Sequence, residues 1–199
     1  MTMLIIIIAA SVAAFAFVAL YPQQASAHCD TMDGPTAKDG KLALDSKNLS
    51  YALKWIEADG AEELRKIFDQ SIKVRALGPD ARDLADQYFL ESLVRIHRAG
   101  EGAPFEGLKP SGVPVDEKVA AADKSVETGD LAPLAKLMAP ELIPELEKRF
   151  AKVLKLKDYD PDDVDAGRAY VQAYVSFFKF AEGEDHDHDH RHGHGAHHH

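Results

Sequence analysis

The chain has 199 residues, with 33 acidic and 23 basic side chains and a formal net charge of −10. This acidic balance argues against a nucleic-acid partner, which would favour a basic surface, and fits a soluble or cation-binding protein. A single cysteine excludes an intrachain disulfide framework. We therefore expect a fold whose stability rests on its core and not on covalent links.

Residues 1–27 carry no charged side chain and end in Ala25-Ser26-Ala27. An apolar run followed by a small-x-small tripeptide is typical of a secretory signal peptide, here cut after Ala27. No Lys or Arg precedes the run, which approaches the roughly 18–20 residues that span a bilayer, so an uncleaved membrane anchor is the alternative. The leader predicts an exported protein, periplasmic or extracellular, with membrane contact only if the leader is retained.

Cleavage after Ala27 would make His28 the N-terminus, directly before the sole cysteine, Cys29. The α-amine and imidazole of an N-terminal histidine can chelate one ion, and a thiolate adds a soft ligand. Asp30 and Asp33 bring carboxylates within reach. This donor set suits Ni, Cu or Zn without selecting among them. The alternative is an ordinary mature N-terminus without a ligand.

The body of the chain predicts an all-α helical bundle, because its apolar residues recur with helical spacing and strand signals are almost absent. The two clearest stripes are Leu64, Ile67, Phe68 and Ile72, and then Leu84, Tyr88, Leu93 and Ile96. Pro79-Asp80 is predicted to begin the helix of the second stripe, and Gly100 to end it. After a loop rich in Gly and Pro, Asp116 is predicted to cap the next helix.

The two halves of the body align without a gap when the sequence is shifted by 82 residues. The identical pairs include Leu49/Leu131, Lys54/Lys136, Leu64/Leu146, Phe68/Phe150, Pro79/Pro161 and Tyr88/Tyr170. We interpret this as a duplicated helical unit. The predicted segments are a hook and first unit over 28–102, a loop over 103–115 and a second unit over 116–183. The alternative is that any two amphipathic helical segments align to this extent.

The alignment also separates shared positions from unique ones. Tyr88 recurs as Tyr170, which favours a core role for both. His97, the only histidine within the body, aligns with Lys179, so any site is expected to belong to the first unit. His97 and the nearby Glu101 precede a Gly-rich turn, and such loops often carry function. His97 is therefore either a cation at the helix C-terminus, a half-buried residue, a metal ligand together with Glu101, or an acid–base group.

The last segment, 184–199, alternates His with Asp before ending in more histidines. Its histidines are His186, His188, His190, His192, His194, His197, His198 and His199. Such a polar tract cannot form a core, and it is predicted to be disordered and to chelate divalent transition metals. The final three histidines alone are compatible with a cloning tag.

Two resemblances follow from these motifs. The stretches 28–35 and 95–104 together resemble a family of exported bacterial proteins of unknown function, which implies a shared helical fold. Locally, His28-Cys29-Asp30 with a following Gly34 resembles the nickel hook of nickel superoxide dismutase, in which amine, imidazole, amide and two thiolates hold nickel. The resemblance implies ligand roles for His28 and Cys29. The second thiolate would fall at Asp33, so it is absent here.

The sequence thus predicts an exported protein that binds or buffers a transition metal through the hook and the His-rich tail. A metal-dependent redox enzyme similar to nickel superoxide dismutase is the first alternative. A helical interaction module with no metal role in the body is the second. No catalytic residue can be assigned from the sequence, and the metal, the oligomeric state and any protein partner stay open.

Overall fold

A computed structural model of the protein describes residues 29–183. The first half contains α1 (Pro35–Ser46), α2 (Ser50–Leu53), a 3₁₀ turn (Ala58–Gly60), α3 (Ala61–Arg75) and α4 (Pro79–Gly100). The second half contains α5 (Glu117–Thr128), α6 (Ala132–Ala135), a 3₁₀ turn (Pro140–Leu142), α7 (Ile143–Leu156) and α8 (Val164–Glu182). The all-α prediction is confirmed, since the only β pairing between 29 and 183 is one isolated bridge.

Several predictions concern the two ends of the chain. The signal peptide, the ligand role of His28 and the His-rich tail fall on residues 1–28 and 184–199, outside the residues described. Between those ends, none of the helices is both long and apolar enough to cross a membrane.

Local sequence explains where the helices begin and end. Pro35 and Pro79 lie in the first turns of α1 and α4, where a missing N–H costs no hydrogen bond. The Asp116 carboxylate accepts a hydrogen bond from the Lys118 N–H, as predicted for an N-cap. Gly183 follows α8 with φ +88°, a left-handed conformation that glycine adopts without steric cost.

The order of elements recurs along the chain with the 82-residue offset. The bounds of α1 and α2 plus 82 are those of α5 and α6. Detailed contacts recur as well: Arg75 donates to the Leu44 carbonyl at 2.7 Å, and Lys157 donates to the Val126 carbonyl at 2.7 Å. These recurrences are what an internal duplication predicts. The duplication itself remains a prediction, which a superposition of the two halves tests.

The core is formed where the long helices of each half pack on one another, α3 on α4 and α7 on α8. Leu64 and its counterpart Leu146 are fully buried, and Phe68 and Phe150 nearly so. The short helix α2 packs against α8 and so joins the halves. The packing brings the C-terminal ends of α4 and α8 together, where Lys179 reaches Glu101.

The predicted stripe of α4 is wrong at two positions. Leu93 and Ile96 are buried as expected, but Leu84 is 70% and Tyr88 53% exposed. The buried side of α4 is instead centred on Phe89, whose ring lies edge-on to Phe68 with centroids 5.5 Å apart. The core role predicted for Tyr88 from its recurrence as Tyr170 is therefore wrong.

Gly40 provides a test of how tightly α1 packs on α4. A methyl group at this position would lie 2.6 Å from Leu90 Cδ2 and 2.8 Å from Leu93 Cδ2. We expect Gly40→Ala to lower the unfolding free energy by about 1 kcal/mol, because overpacking of roughly 1–3 kcal/mol exceeds the gain in helix propensity. Gly100→Ala is the control, since its methyl would meet only the flexible Glu57 side chain at 3.3 Å. Urea unfolding would contradict this packing if both variants were equally stable.

Candidate metal centre

The N-terminal segment is tied to the loop that follows α4. Lys109 N–H donates to the Asp30 carbonyl at 2.7 Å, and Met32 N–H donates to the Lys109 carbonyl at 2.9 Å. These bonds form the isolated parallel bridge between Thr31 and Lys109. Cys29 and Asp30 are consequently held in place before the first helix begins.

His97 lies in the last turn of α4 and is only 5% exposed. Its Nδ1 is 2.7 Å from the carbonyl oxygen of Trp55. A carbonyl can only accept, so Nδ1 carries the proton and, in the neutral ring, Nε2 holds the lone pair. Nε2 is buried and has no hydrogen-bond partner among residues 29–183. A metal-binding histidine usually donates one ring N–H to a backbone carbonyl or a carboxylate. That hydrogen bond fixes the tautomer of the ring and leaves the other nitrogen free to bind the metal.

Glu101 lies beside that nitrogen, with its Oε2 3.9 Å from His97 Nε2. The same carboxylate is 3.2 Å from Arg98 Nη1 and 3.3 Å from Lys179 Nζ. Burial raises the pKa of Glu101, but the charge of His97 when its ring is protonated, together with the charges of Lys179 and Arg98, outweighs burial, so the pKa is lower than usual. Glu101 is therefore ionised at neutral pH and faces the imidazole.

Cys29 provides a free thiol at the same end of the bundle as His97 and Glu101. Burial, reinforced by the negative charge of Glu101, raises the pKa of Cys29 to about 12, although the Thr36 hydroxyl lowers it. Cys29 also contributes to raising the pKa of the buried Tyr174, after burial and Asp123. The charge of Glu101 thus acts on both the thiol and the imidazole. Without a cation to offset the negative charge, the thiol stays protonated at neutral pH.

Asp30 is buried next to Arg98. Its Oδ1 is 3.7 Å from Arg98 Nε, too far for a hydrogen bond, and has no hydrogen-bond partner in the described segment. Burial raises the pKa of Asp30, although Arg98, Lys109 and His97 each lower it. A buried carboxylate that is incompletely paired adds negative potential at this end of the bundle.

Asp33 is placed differently from the other predicted ligands. It is exposed, and its Oδ2 accepts a hydrogen bond from the Gly112 N–H at 2.9 Å. Together with the Thr31 hydroxyl, this bond lowers the pKa of Asp33. The structure thus gives Asp33 a role in joining the N-terminal segment to the loop.

The structure therefore brings four of the predicted residues, Cys29, Asp30, His97 and Glu101, to one end of the bundle. Within residues 29–183, however, no three His, Cys, Asp or Glu side chains are arranged closely enough to hold a metal ion by themselves. The arrangement offers an imidazole nitrogen, a carboxylate and a thiol, which are N, O and S donors of the kind Zn, Ni and Cu accept. His28, which precedes Cys29, is outside the described part of the chain.

Two members of the cluster were missed by sequence reasoning. Trp55, whose carbonyl orients His97, is 42 residues away in sequence, and its ring lies edge-on to the imidazole with centroids 5.7 Å apart. Lys179 comes from the second half. The alignment of His97 with Lys179 was the available signal, because equivalent helix ends can meet when two units pack together.

The sequence matches a family described as a family of unknown function, DUF6448, over residues 33–180. The match covers both halves of the bundle and includes His97, Arg98 and Glu101, and it begins four residues after Cys29. No curated protein and no solved structure shows significant similarity to the chain.

Proposed function

The chain belongs to the DUF6448 family of unknown function, and we propose that it is an exported transition-metal-binding protein. The metal is held at the end of the bundle between His97 and Glu101, and the N-terminal segment closes on it with Cys29 to complete the site, since the described side chains by themselves form no three-ligand group. The N-terminal His28, freed by removal of the leader, supplies its imidazole and α-amine. The His-rich tail binds additional ions with lower affinity and serves as a buffer.

The observation that carries this proposal is the buried Nε2 of His97. A neutral imidazole nitrogen and an ionised carboxylate oxygen are both acceptors, so their approach to 3.9 Å leaves two lone pairs facing each other. Either a proton on His97 or a bound cation would give Nε2 the partner that it lacks. The thiol of Cys29 adds a soft donor at the same end of the bundle, which favours the cation.

The spacing of the donors also supports a metal. Metal–nitrogen and metal–oxygen bonds of roughly 2.0–2.2 Å place two tetrahedral ligands about 3.4 Å apart. The 3.9 Å between His97 Nε2 and Glu101 Oε2 is slightly wider, so a small side-chain movement would bring both atoms onto one ion. Arg98 and Lys179 already bind the carboxylate of Glu101, so they fix its position and partly neutralise its charge. We assign no catalytic step, since the chain has a single cysteine and the nickel hook it resembles uses two thiolates.

The test uses mature protein recovered from the exporting host, after N-terminal sequencing. We expect the sequence to begin at His28, and deletion of 184–199 to leave one tightly bound Ni, Cu or Zn per chain. His97→Gln is expected to lower the affinity for that ion by about 10–100-fold or more, because the amide retains the shape of the side chain but not the basic nitrogen. Competition with a chromophoric chelator measures the affinity.

Lys152→Gln is the matched control, because it introduces the same amide at an exposed position of α7 and leaves the proposed ligands and the residues that bind them unchanged. It should retain tight binding. If the tail-deleted protein binds no ion more tightly than its His97→Gln variant, the proton on His97 is the correct alternative and the proposal fails. A mature N-terminus other than His28 would remove the hook from the site.

A further inference from the structure

The nitrogen proposed to bind the metal is closed off from solvent in the described structure. His97 is 5% and Asp30 6% exposed, and the His97 Nε2 atom is buried. A hydrated ion cannot reach a buried nitrogen while the segment above that nitrogen stays in place. The proposed function, on which this inference rests, therefore requires a part of the protein to open.

The segment of residues 29–33 lies over this end of the bundle. The Asp30 carboxylate is 3.7 Å from Nε of Arg98, the residue that follows His97 in α4. The segment is bonded to the loop after α4, because the Lys109 N–H donates to the Asp30 carbonyl and the Met32 N–H donates to the Lys109 carbonyl. Any movement of the segment therefore either breaks these bonds or carries the loop with it.

A third hydrogen bond joins the segment to the loop at its exposed side. Asp33 Oδ2 accepts this bond from the Gly112 N–H at 2.9 Å. Gly112 has φ +79°, a left-handed conformation that glycine adopts without steric cost. Both residues are exposed, so water can replace the bond when it breaks.

The segment and the loop are attached to the helices more lightly than the helices are to one another. Met32 and Leu108 are partly buried where they pack on the core, whereas Phe89 and Leu93 of α4 are fully buried. Lys41 Nζ adds a hydrogen bond of 2.8 Å to the Met32 carbonyl. Segments with few buried apolar contacts and exposed hydrogen bonds open at a lower free energy than core helices.

We propose that residues 29–33 and residues 103–115 form a clasp that opens as one unit to admit and release the metal ion. Asp33 is a positioning residue of this clasp and not a ligand, since its carboxylate is used on Gly112. Its bond keeps the neighbouring backbone bonds of the clasp closed, and so holds Cys29 at the end of the bundle.

The clasp controls the rate of metal exchange and not the affinity. The bond between Asp33 and Gly112 is made whenever the clasp is closed, with or without an ion. A contact that is equally present in the free and the bound state cannot change the equilibrium between them. Loss of this bond is therefore expected to speed entry and exit of the ion by the same factor.

Amide hydrogen exchange of the mature full-length chain in EDTA tests whether the clasp is one unit. We expect Asp33→Ala to lower the protection of the Met32 and Lys109 amides by the same factor, about fivefold to tenfold, because opening then breaks one charge-assisted hydrogen bond fewer. The acceptors of these two amides are backbone carbonyls that the substitution does not touch. The Leu93 amide, within α4, should keep its protection. Loss of protection at Gly112 alone would overturn the clasp.

Asp163→Ala is the matched control. The Asp163 carboxylate accepts a hydrogen bond from the Ala166 N–H at 2.9 Å, a bond of the same kind and length, at an exposed position before α8. This variant should leave the protection of the Met32 and Lys109 amides unchanged. If both variants lost protection equally, the cause would be a general loss of stability, and the proposal would fail.

Release of nickel ions tests the link to the metal site. The mature chain is loaded with one equivalent and mixed with excess chelator, and the slow phase of release reports the ion that the tail does not hold. We expect Asp33→Ala to speed this phase about fivefold to tenfold, while the dissociation constant changes by less than about twofold. A dissociation constant that rises by the full factor would identify Asp33 as a ligand and refute its positioning role. Because the amide experiment uses metal-free protein, it decides on the clasp even if no tight ion is found and the proposed function fails.

Discussion

Replacing Cys29 with serine is expected to reduce the transition-metal affinity of the mature, tail-deleted protein by at least about 100-fold at pH 7.5. A serine hydroxyl has nearly the size of the thiol but does not ionise to a soft anion. Since loss of a partner of a ligand costs about 10–100-fold, loss of the ligand itself should cost more. Chelator competition measures the change, and Asp69→Asn, at an exposed carboxylate of α3, is the control that should bind normally.

The pH dependence of the metal affinity gives a second test of Cys29. The raised pKa of Cys29, about 12, means that the metal must displace a proton from the thiol at every working pH. The affinity of the wild type should therefore rise with pH by about tenfold per unit for this proton alone, and more steeply below pH 8, where the α-amine and imidazole also compete. In Cys29→Ser the affinity should rise less steeply with pH, because one proton fewer is released when the metal binds. An unchanged slope would show that the thiol is not a ligand.

Truncating Phe68 or Phe150 to alanine is expected to lower the free energy of unfolding by about 3–5 kcal/mol each. Both rings are 7% exposed and pack on another aromatic ring, Phe68 on Phe89 and Phe150 on Phe177, at centroid distances of 5.5 and 5.6 Å. The cavity left in either half removes contacts that the neighbours cannot fully recover. For a domain of this size, the melting temperature should fall by roughly 6–20 °C.

Leu77→Ala is the control for these variants, because the Leu77 side chain is 78% exposed. Its unfolding free energy at low protein concentration should change by less than about 0.5 kcal/mol. If either phenylalanine variant changed stability as little as Leu77→Ala, that half would lack the core that the structure assigns to it. Unequal losses from the two halves would count against their equivalence as units.

Local sequence features were sufficient to predict much of the fold. Helical spacing, prolines at first turns and Asp116 as an N-cap predict elements that the structure contains, because each depends on a few neighbouring residues. The same reasoning selected Cys29, His97 and Glu101 as candidate ligands from their chemistry and position. It could not select among them, since chemistry does not tell which side chains meet.

Tertiary packing decided the rest. Tyr88 and Tyr170 are the same residue at equivalent positions, yet one is exposed and the other half-buried under Lys54. Sequence periodicity records how residues are arranged along one helix, whereas burial depends on which other segment packs there. The Trp55 carbonyl that orients His97, and the Lys179 ammonium beside Glu101, likewise come from distant parts of the chain. The sequence therefore determined an all-α protein with a set of possible ligands, and only the packing of the two halves decided which of them face one another.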